Sequence, residues 1–316
     1  MNKQFFLEVE KEDENLRFDK FLQSKINSLS YAKIQKLIRI GYFKVNQEKK
    51  KSNYKIKNSD KILCKNLIDL NTEKKDNFAI IYKKEISLLH ENIIFENNDF
   101  LVLNKPEGIS VQGGTKIKFN IDLVLDYLSK DSKSLKLVHR IDKNTSGLLL
   151  IAKSKIMANK LTSLFKKNKI LKKYFAICIG KPADNSGMIN YPLVKSKING
   201  KEMMVLDSQG KKPAETFYKV LQTKNNLSFL QLEPKTGRTH QIRAHLKLLG
   251  YPILGDHKYT SSKEHINKKY NGFKKMHLHA RFLSFNLDDK KYQFKAELPK
   301  YFIEILKENN FKVEQS

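Results

Sequence analysis

The segment His139-Arg140-Ile141-Asp142-Lys143-Asn144-Thr145-Ser146-Gly147 sets a carboxylate beside a guanidinium just ahead of an apolar run over 148–152. An acid at the mouth of a buried strand, before a tight Thr-Ser-Gly turn, adds little to a core. It is well placed to present one charged oxygen to a ligand. The arginines sharpen the point: of 61 basic residues only six are Arg, namely Arg17, Arg39, Arg140, Arg238, Arg243 and Arg281. In a chain so rich in Lys, Arg is kept mainly where a planar, forked donor does what a flexible point charge cannot. Arg238 and Arg243 fall in a second dense motif, Gly237-Arg-Thr-His-Gln-Ile-Arg-Ala-His245.

Other chemistries fit less well. His240, His245, His277 and His279 lie in or near motifs, but His240 and His245 are five apart, off the shared helix face that ligands four apart use. No cysteine and no acidic cluster accompanies them, so hydrogen-bonded structural histidines are expected and no metal site. The chain has no GxGxxG and no GxxxxGK[ST] pattern for a nucleotide cofactor.

The 316 residues suggest about two domains. A formal net charge of +28 favours a polyanionic partner, nucleic acid first, although general Lys enrichment that merely solubilises the chain would raise the charge too. No apolar run approaches the roughly 20 residues needed to cross a bilayer, so membrane attachment is not expected. Glu8, Glu10 and Glu12 leave no signal-peptide pattern, and Cys64 and Cys178 form no disulfide framework. A reduced cytoplasm is the expected location.

Three stretches must position these groups. In the first, 1–70, a helix opens at Arg17 and a second runs over 30–40, with Ser30 as N-cap and Gly41 as stop. On it Ile34, Leu37 and Ile38 make an apolar stripe, while Lys33, Lys36 and Arg39 share another face. Short strands are predicted over 42–46 and 54–57, around the basic turn Lys49, Lys50 and Lys51. A polar linker is expected over 71–87, and a second domain over 88–312. There, strands over 100–103, 135–138, 148–152, 174–179, 215–221 and 227–232 alternate with helices over 122–128, 156–167 and 239–250. Mostly hairpin-spaced strands point to an α+β fold rather than a doubly wound one.

HRIDKNTSGLLLIAKS resembles the catalytic segment of the RluA-type pseudouridine synthases, usually written His-Arg-Leu-Asp-x-x-Thr-Ser-Gly. LNKPEGISVQGG, LKKYFAICIG and TGRTHQIRAHLKLLGYPILGD resemble the family's other motifs, in order and spacing, over roughly residues 90–305. The first stretch resembles the small S-four-like RNA-binding domain. That unit, the GISVQGGTK stretch and an insertion over 259–275 make the large-subunit ribosomal type the nearest likeness. The resemblance implies an S-four-like domain before a catalytic domain with a mostly antiparallel mixed sheet and a central cleft. It implies isomerisation of uridines already inside RNA, without a cofactor, by a monomer acting on large-subunit ribosomal RNA or its assembly intermediate. The same chemistry on transfer RNA, or a non-catalytic ribosome assembly factor, are the alternatives.

By residue-for-residue match Asp142 is the catalytic carboxylate, either attacking the sugar or removing a sugar proton, and Arg243 is its partner. A carboxylate covered by a base stays ionised only if something offsets the burial penalty, and a guanidinium does so. Tyr174, in Lys172-Lys173-Tyr174, matches the tyrosine that stacks on the uracil and could take the proton from carbon five; without that match an ordinary core tyrosine on a strand is the commoner reading. Arg140 is expected to fill the space a flipped base leaves. Ile242 should pack beneath the uracil, though it too is explicable as core. Lys105 and Arg238 are expected to contact phosphate, and Lys33, Lys36 and Arg39 to bind RNA, with a merely solvated basic helix face as the competing reading of those three. The pattern departs from the family at Ile141, usually Leu, and at Thr260, usually Gly.

Overall fold

A computed structural model describes residues 5–26, 29, 31–64, 81–113, 117, 119–128, 135–198, 200–260 and 272–312. The chain divides into two compact units, one of Met1–His90 with Gln112–Ser132 and the other of Glu91–Val111 with Lys133–Ser316.

The first unit holds β1 (Phe5–Leu7), α1 (Phe18–Lys25), α2 (Tyr31–Arg39), β2 (Phe43–Val45), β3 (Ile62–Cys64), α3 (Lys83–Glu91, which ends at the unit's boundary) and α4 (Ile121–Leu128). Ile34, Leu37 and Ile38 of α2 are buried against Phe18, Phe21 and Leu22 of α1 and against Phe43, Val45 and Ile62 of the sheet. The apolar stripe read from sequence thus faces the core. Gly41, at φ +75°, ends α2 with its N–H on the Ile38 carbonyl, in the left-handed conformation that a side chain would disfavour. Ser30, the expected N-cap, lies outside the described residues.

Two expectations need correction here. Residues 54–57 form no strand. Phe18 N–H donates to Tyr54 O (2.7 Å) and Ile56 N–H to Leu16 O (2.9 Å), so this segment is spent on the turn entering α1. The vacant place goes to β3, which pairs antiparallel with both β1 and β2. The polar stretch over 71–87 is also not all linker, because α3 begins within it; His90 Nε2 bonds Tyr127 O (2.7 Å), tying α3 to α4.

The second unit runs β4 (Ile93–Glu96), β5 (Phe100–Lys105), β6 (Lys136–Leu137), β7 (Ser146–Ala152), α5 (Lys155–Lys166), β8 (Leu171–Ile179), β9 (Ser186–Ile189), β10 (Leu193–Ile198), β11 (Lys201–Leu206), β12 (Thr216–Lys224), β13 (Leu227–Pro234), α6 (Gln241–Leu248), β14 (Leu278–Leu287), β15 (Lys290–Lys295) and α7 (Lys300–Glu308). Ten strands form one sheet in the order β4-β5-β7-β14-β8-β13-β12-β9, with β15 beside β14 and β6 beside β7. All its pairings are antiparallel except β7 with β14. The α+β architecture and mostly antiparallel mixed sheet agree with the sequence reading. The separate hairpin β10–β11 was not foreseen.

The parallel β7–β14 junction fixes the site. Every residue of β7 is buried, which is why its sequence reads as a continuous apolar run. At its start Gly147 has φ +104°, and a Cβ there would collide with the Ala280 carbonyl of β14. Ser146 Oγ donates to His279 Nδ1 (2.9 Å), and His279 Nε2 donates to Ala296 O (3.3 Å). His139 Nε2 accepts the Leu150 N–H (2.8 Å), and its ring stacks on Phe165. Burial pushes His279 and His139 down to about 3 and His277 to about 4, so all three stay neutral in the fold.

In the unfolded chain these rings titrate near 6.5. Below that pH the unfolded state binds protons that the folded state refuses, so stability falls as pH falls. Between about pH 7.5 and 5.5 the unfolding free energy should drop by about 1.4 kcal/mol for each such ring. Urea midpoints across this range check it; a flat profile would mean that the rings charge inside the fold.

Candidate active site

The loop that carries Asp142 is tied down from three sides. Thr145 N–H donates to the Asp142 carbonyl (3.1 Å), and Gly108 N–H to the Lys143 carbonyl (2.9 Å). The third tie is Lys105. Its side chain is fully buried, and Nζ donates to the carbonyls of Pro106 (2.8 Å), Ile109 (2.9 Å) and Lys143 (3.1 Å). Burial pulls the ammonium down to about 7, with the charges of Glu107 and Asp142 opposing; its three acceptors match the three N–H donors that only the protonated form carries. Lys105 therefore has no face to offer a phosphate, and the expected phosphate contact is corrected to an internal cross-link between two loops.

Arg243 comes from the first turn of α6. The helix starts at Gln241, later than the expected Thr239, because His240 holds a left-handed backbone (φ +51°). Gln241 locks that start: Nε2 donates to Glu215 O (2.8 Å) and Thr216 Oγ1 (3.0 Å), and Oε1 accepts from Arg238 N (3.0 Å) and Thr236 Oγ1 (2.7 Å). His245 bonds Thr216 Oγ1 and Tyr191 O, a structural histidine as expected.

From there the guanidinium reaches two acids. Nε and Nη2 donate to Asp256 Oδ2 (2.7 Å) and Oδ1 (2.8 Å), and Nη1 donates to Asp142 Oδ2 (3.0 Å). Its Cζ lies over the Tyr259 ring, 5.0 Å from the centroid. Burial works against the Arg243 charge, but hydrogen bonds and charge from Asp256, then from Asp142, raise its pKa. The two acids differ in access: the Asp256 side chain is 1% exposed, that of Asp142 18%. Asp256 is the anchor and Asp142 the face turned outward.

Asp142 opens onto a cleft of about 390 Å³, in the range of small-ligand pockets, roughly 300–1,000 Å³. Tyr174 and Ile242 line it, and Ile242 is buried against Leu232, Leu246 and Leu278 behind. Burial, then the Asp142 charge, raises the Tyr174 pKa, so the phenol stays protonated. Arg140 and Arg238 are exposed at the rim, with Arg238 Nε on Pro213 O (3.2 Å). The structure therefore brings Asp142, Tyr174, Ile242, Arg243, Arg140 and Arg238 to one cleft. In the first unit, Lys36 and Arg39 are exposed on α2 and Lys33 is half-buried; Lys36 and Arg39 line a groove with Arg17, Lys49, Lys50 and Lys51.

Asp256, His240 and Lys172 also belong to the site and were not assigned from sequence. Asp256 follows Gly255, whose φ of +77° and approach to the Lys275 carbonyl exclude a side chain; that Gly-Asp pair was the available signal. His240 Nε2 stands 3.8 Å from Asp142 Oδ2, and burial holds the ring down to about 4, hence neutral. Lys172 also lines the cleft, its pKa lowered by burial. Among the described residues, no group of three or more His, Cys, Asp or Glu could hold a metal ion.

Residues 99–248 match the family model described as RNA pseudouridylate synthase. The ribosomal large subunit pseudouridine synthase C of Rickettsia typhi is 38% identical over 292 residues, covering 90% of this chain and 95% of the relative. The protein of the same name from Vibrio parahaemolyticus is 32% identical, covering 89% and 88%. Among solved structures, human RNA pseudouridylate synthase domain containing 4 superposes with a TM-score of 0.64 at 29% identity, covering 74% of this chain and 98% of that one.

The exposure difference between the acids yields a stability test. Asp256→Asn strands a buried guanidinium and should lower the unfolding free energy by about 3 kcal/mol or more. Asp142→Asn, at the solvent-facing end, should cost about 1 kcal/mol or less. Chemical denaturation of both variants measures this, and equal costs would contradict the division between anchor and presented acid.

Proposed function

This chain belongs to the RNA pseudouridylate synthase family, and from its membership as an RNA pseudouridine synthase we propose that it isomerises uridines of large-subunit ribosomal RNA in the Asp142 cleft, with Asp142 as the acting carboxylate. The target is supported by relatives at 32–38% identity over most of the chain that are named ribosomal large subunit pseudouridine synthase C. The observation that carries the chemistry is the 3.0 Å bond from Arg243 Nη1 to Asp142 Oδ2 at the cleft. It holds one carboxylate oxygen in place and leaves the other to meet the sugar.

The reaction follows from these positions. A uridine inside a helix or loop cannot bring its anomeric carbon to a recessed carboxylate, so the nucleotide swings out, at a cost of a few kcal/mol. Arg140, exposed at the rim beside Asp142, fills the space left behind. The uracil enters between Tyr174 and Ile242, and Arg238 meets the flanking phosphate. Asp142 then attacks the anomeric carbon or takes a proton from the neighbouring sugar carbon, and the bond from that anomeric carbon to nitrogen one breaks. The freed uracil turns and carbon five bonds the anomeric carbon as the bond to Asp142 breaks or, on the second route, as Asp142 returns its proton to the sugar. Carbon five then gives up its proton and nitrogen one takes one up. Atoms and electrons are conserved, so the step calls for no redox partner. A phenol kept protonated by burial and by the Asp142 charge is set to stack and to donate a hydrogen bond, which weighs against Tyr174 as the group that takes the carbon-five proton.

The domain assignment follows the same reading: an S-four-like RNA-binding unit over 1–70 and a catalytic domain over 88–312, working as a monomer in the cytoplasm. Lys36 and Arg39, with Lys33 on the same helix, hold the RNA backbone. Such contacts speed capture and weaken with salt.

The test is release of tritium from carbon five of uridine in large-subunit ribosomal RNA that lacks the modification. Wild type should release label, and Asp142→Asn should be slower by about a thousandfold or more. Pseudouridine mapping with and without the gene should lose specific large-subunit positions. Equal release by the variant removes Asp142 from the chemistry; an unchanged large-subunit map removes the target.

A further inference from the structure

His240 lies in the cleft wall with a donor that the fold does not use. Hydrogen accounting fixes which nitrogen carries it. Met204 N–H donates to the Tyr259 hydroxyl at 3.0 Å, and His240 Nδ1 lies 3.0 Å from the same oxygen. A tyrosine hydroxyl has a single hydrogen. If Nδ1 were the donor, that buried hydrogen would have no acceptor among the described residues; with Tyr259 as donor, the hydrogen left over is the one on Nε2, which meets the open cleft. The proton of the neutral ring therefore sits on Nε2. That nitrogen is 3.8 Å from Asp142 Oδ2, beyond hydrogen-bond reach, on a side chain 19% exposed that lines the cleft. His240 also holds its left-handed backbone (φ +51°) at the start of α6, a strained conformation that persists where the surroundings enforce it, often at functional sites.

The acceptor follows from the geometry of a sugar. A carboxylate that must reach the anomeric carbon, or the proton on its neighbour, lies beside the oxygen borne by that neighbour. A donor adjacent to Asp142 therefore faces the 2′-oxygen. We propose that His240 Nε2–H donates to the 2′-oxygen of the target nucleotide and makes the site read ribose, with Tyr259 as the positioning residue that sets the tautomer. The 2′-hydroxyl is what separates RNA from DNA at a given position. Through Met204 of β11 and Tyr259, the hairpin β10–β11 also becomes part of the donor's support. The inference rests on Asp142 acting at the sugar, as proposed above.

Two RNA hairpins copied from the mapped modification site, differing only in ribose or 2′-deoxyribose at the target, test it under single turnover. His240→Asn tolerates the left-handed backbone and can still accept from Tyr259, but has no group at the Nε2 position. It should slow the ribose substrate by about tenfold and leave the deoxyribose substrate unchanged. His240→Gln, whose amide reaches further, should restore most of the loss, and Tyr259→Phe should narrow the ribose preference in the same direction. Where the deoxyribose target turns over too slowly to time, the ratio is read from hairpin affinities. Equal loss on both substrates, or no loss on either, overturns the proposal. No wild-type turnover of the ribose hairpin would instead overturn the parent reading, and this inference with it.

Discussion

A single guanidinium shared between two carboxylates is the interaction on which the catalytic unit depends. Arg243 spends its bidentate edge on Asp256, inside the protein, and one remaining N–H on Asp142, at the cleft. One positive charge between two negative ones leaves the group with a net charge of −1, displaced toward the accessible acid. The chain's excess of 28 positive charges counters the repulsion this charge would exert on an RNA. Lysine could not replace Arg243, because a point charge lacks the fork that fixes both acids in register.

Everything that supports this arrangement is backbone geometry made obligatory by a few side chains. The close β7–β14 approach needs glycine at 147 and aims the preceding loop at α6. Lys105 staples that loop to the turn after β5, and Gln241 sets the first turn of α6. The partners stand 101 residues apart in sequence, so the sheet is what brings them within 3.0 Å. His139 and His279 each use a ring nitrogen to tie down β7.

Much of this was legible before any coordinates. The two Arg-bearing motifs pointed to Asp142 and Arg243, and the apolar runs gave the central strands of the large sheet. What could not be read had physical causes. A lysine in sequence looks like surface charge, and only the fold reveals that Lys105 is walled in by three carbonyls. At Asp256 the Gly-Asp pair marks a tight turn, but nothing local names Arg243 as the partner it holds. The β10–β11 hairpin is half polar, with Lys195, Ser196 and Lys197 exposed, so its alternation gave no strand signal. Residues 54–57 had strand-like composition, but their hydrogen bonds were claimed by the turn before α1. The His240 tautomer inferred above rests on three residues from three segments, which only the fold brings together.

The most direct test of the shared guanidinium is a crystal structure with an RNA hairpin whose target is 5-fluorouridine, which lacks the carbon-five proton that turnover must release. The account predicts the base between Tyr174 and Ile242, the sugar against Asp142, and Arg243 still bridging Asp142 and Asp256. A base bound outside this cleft, or an Arg243 released from Asp142 when the nucleotide enters, would contradict it.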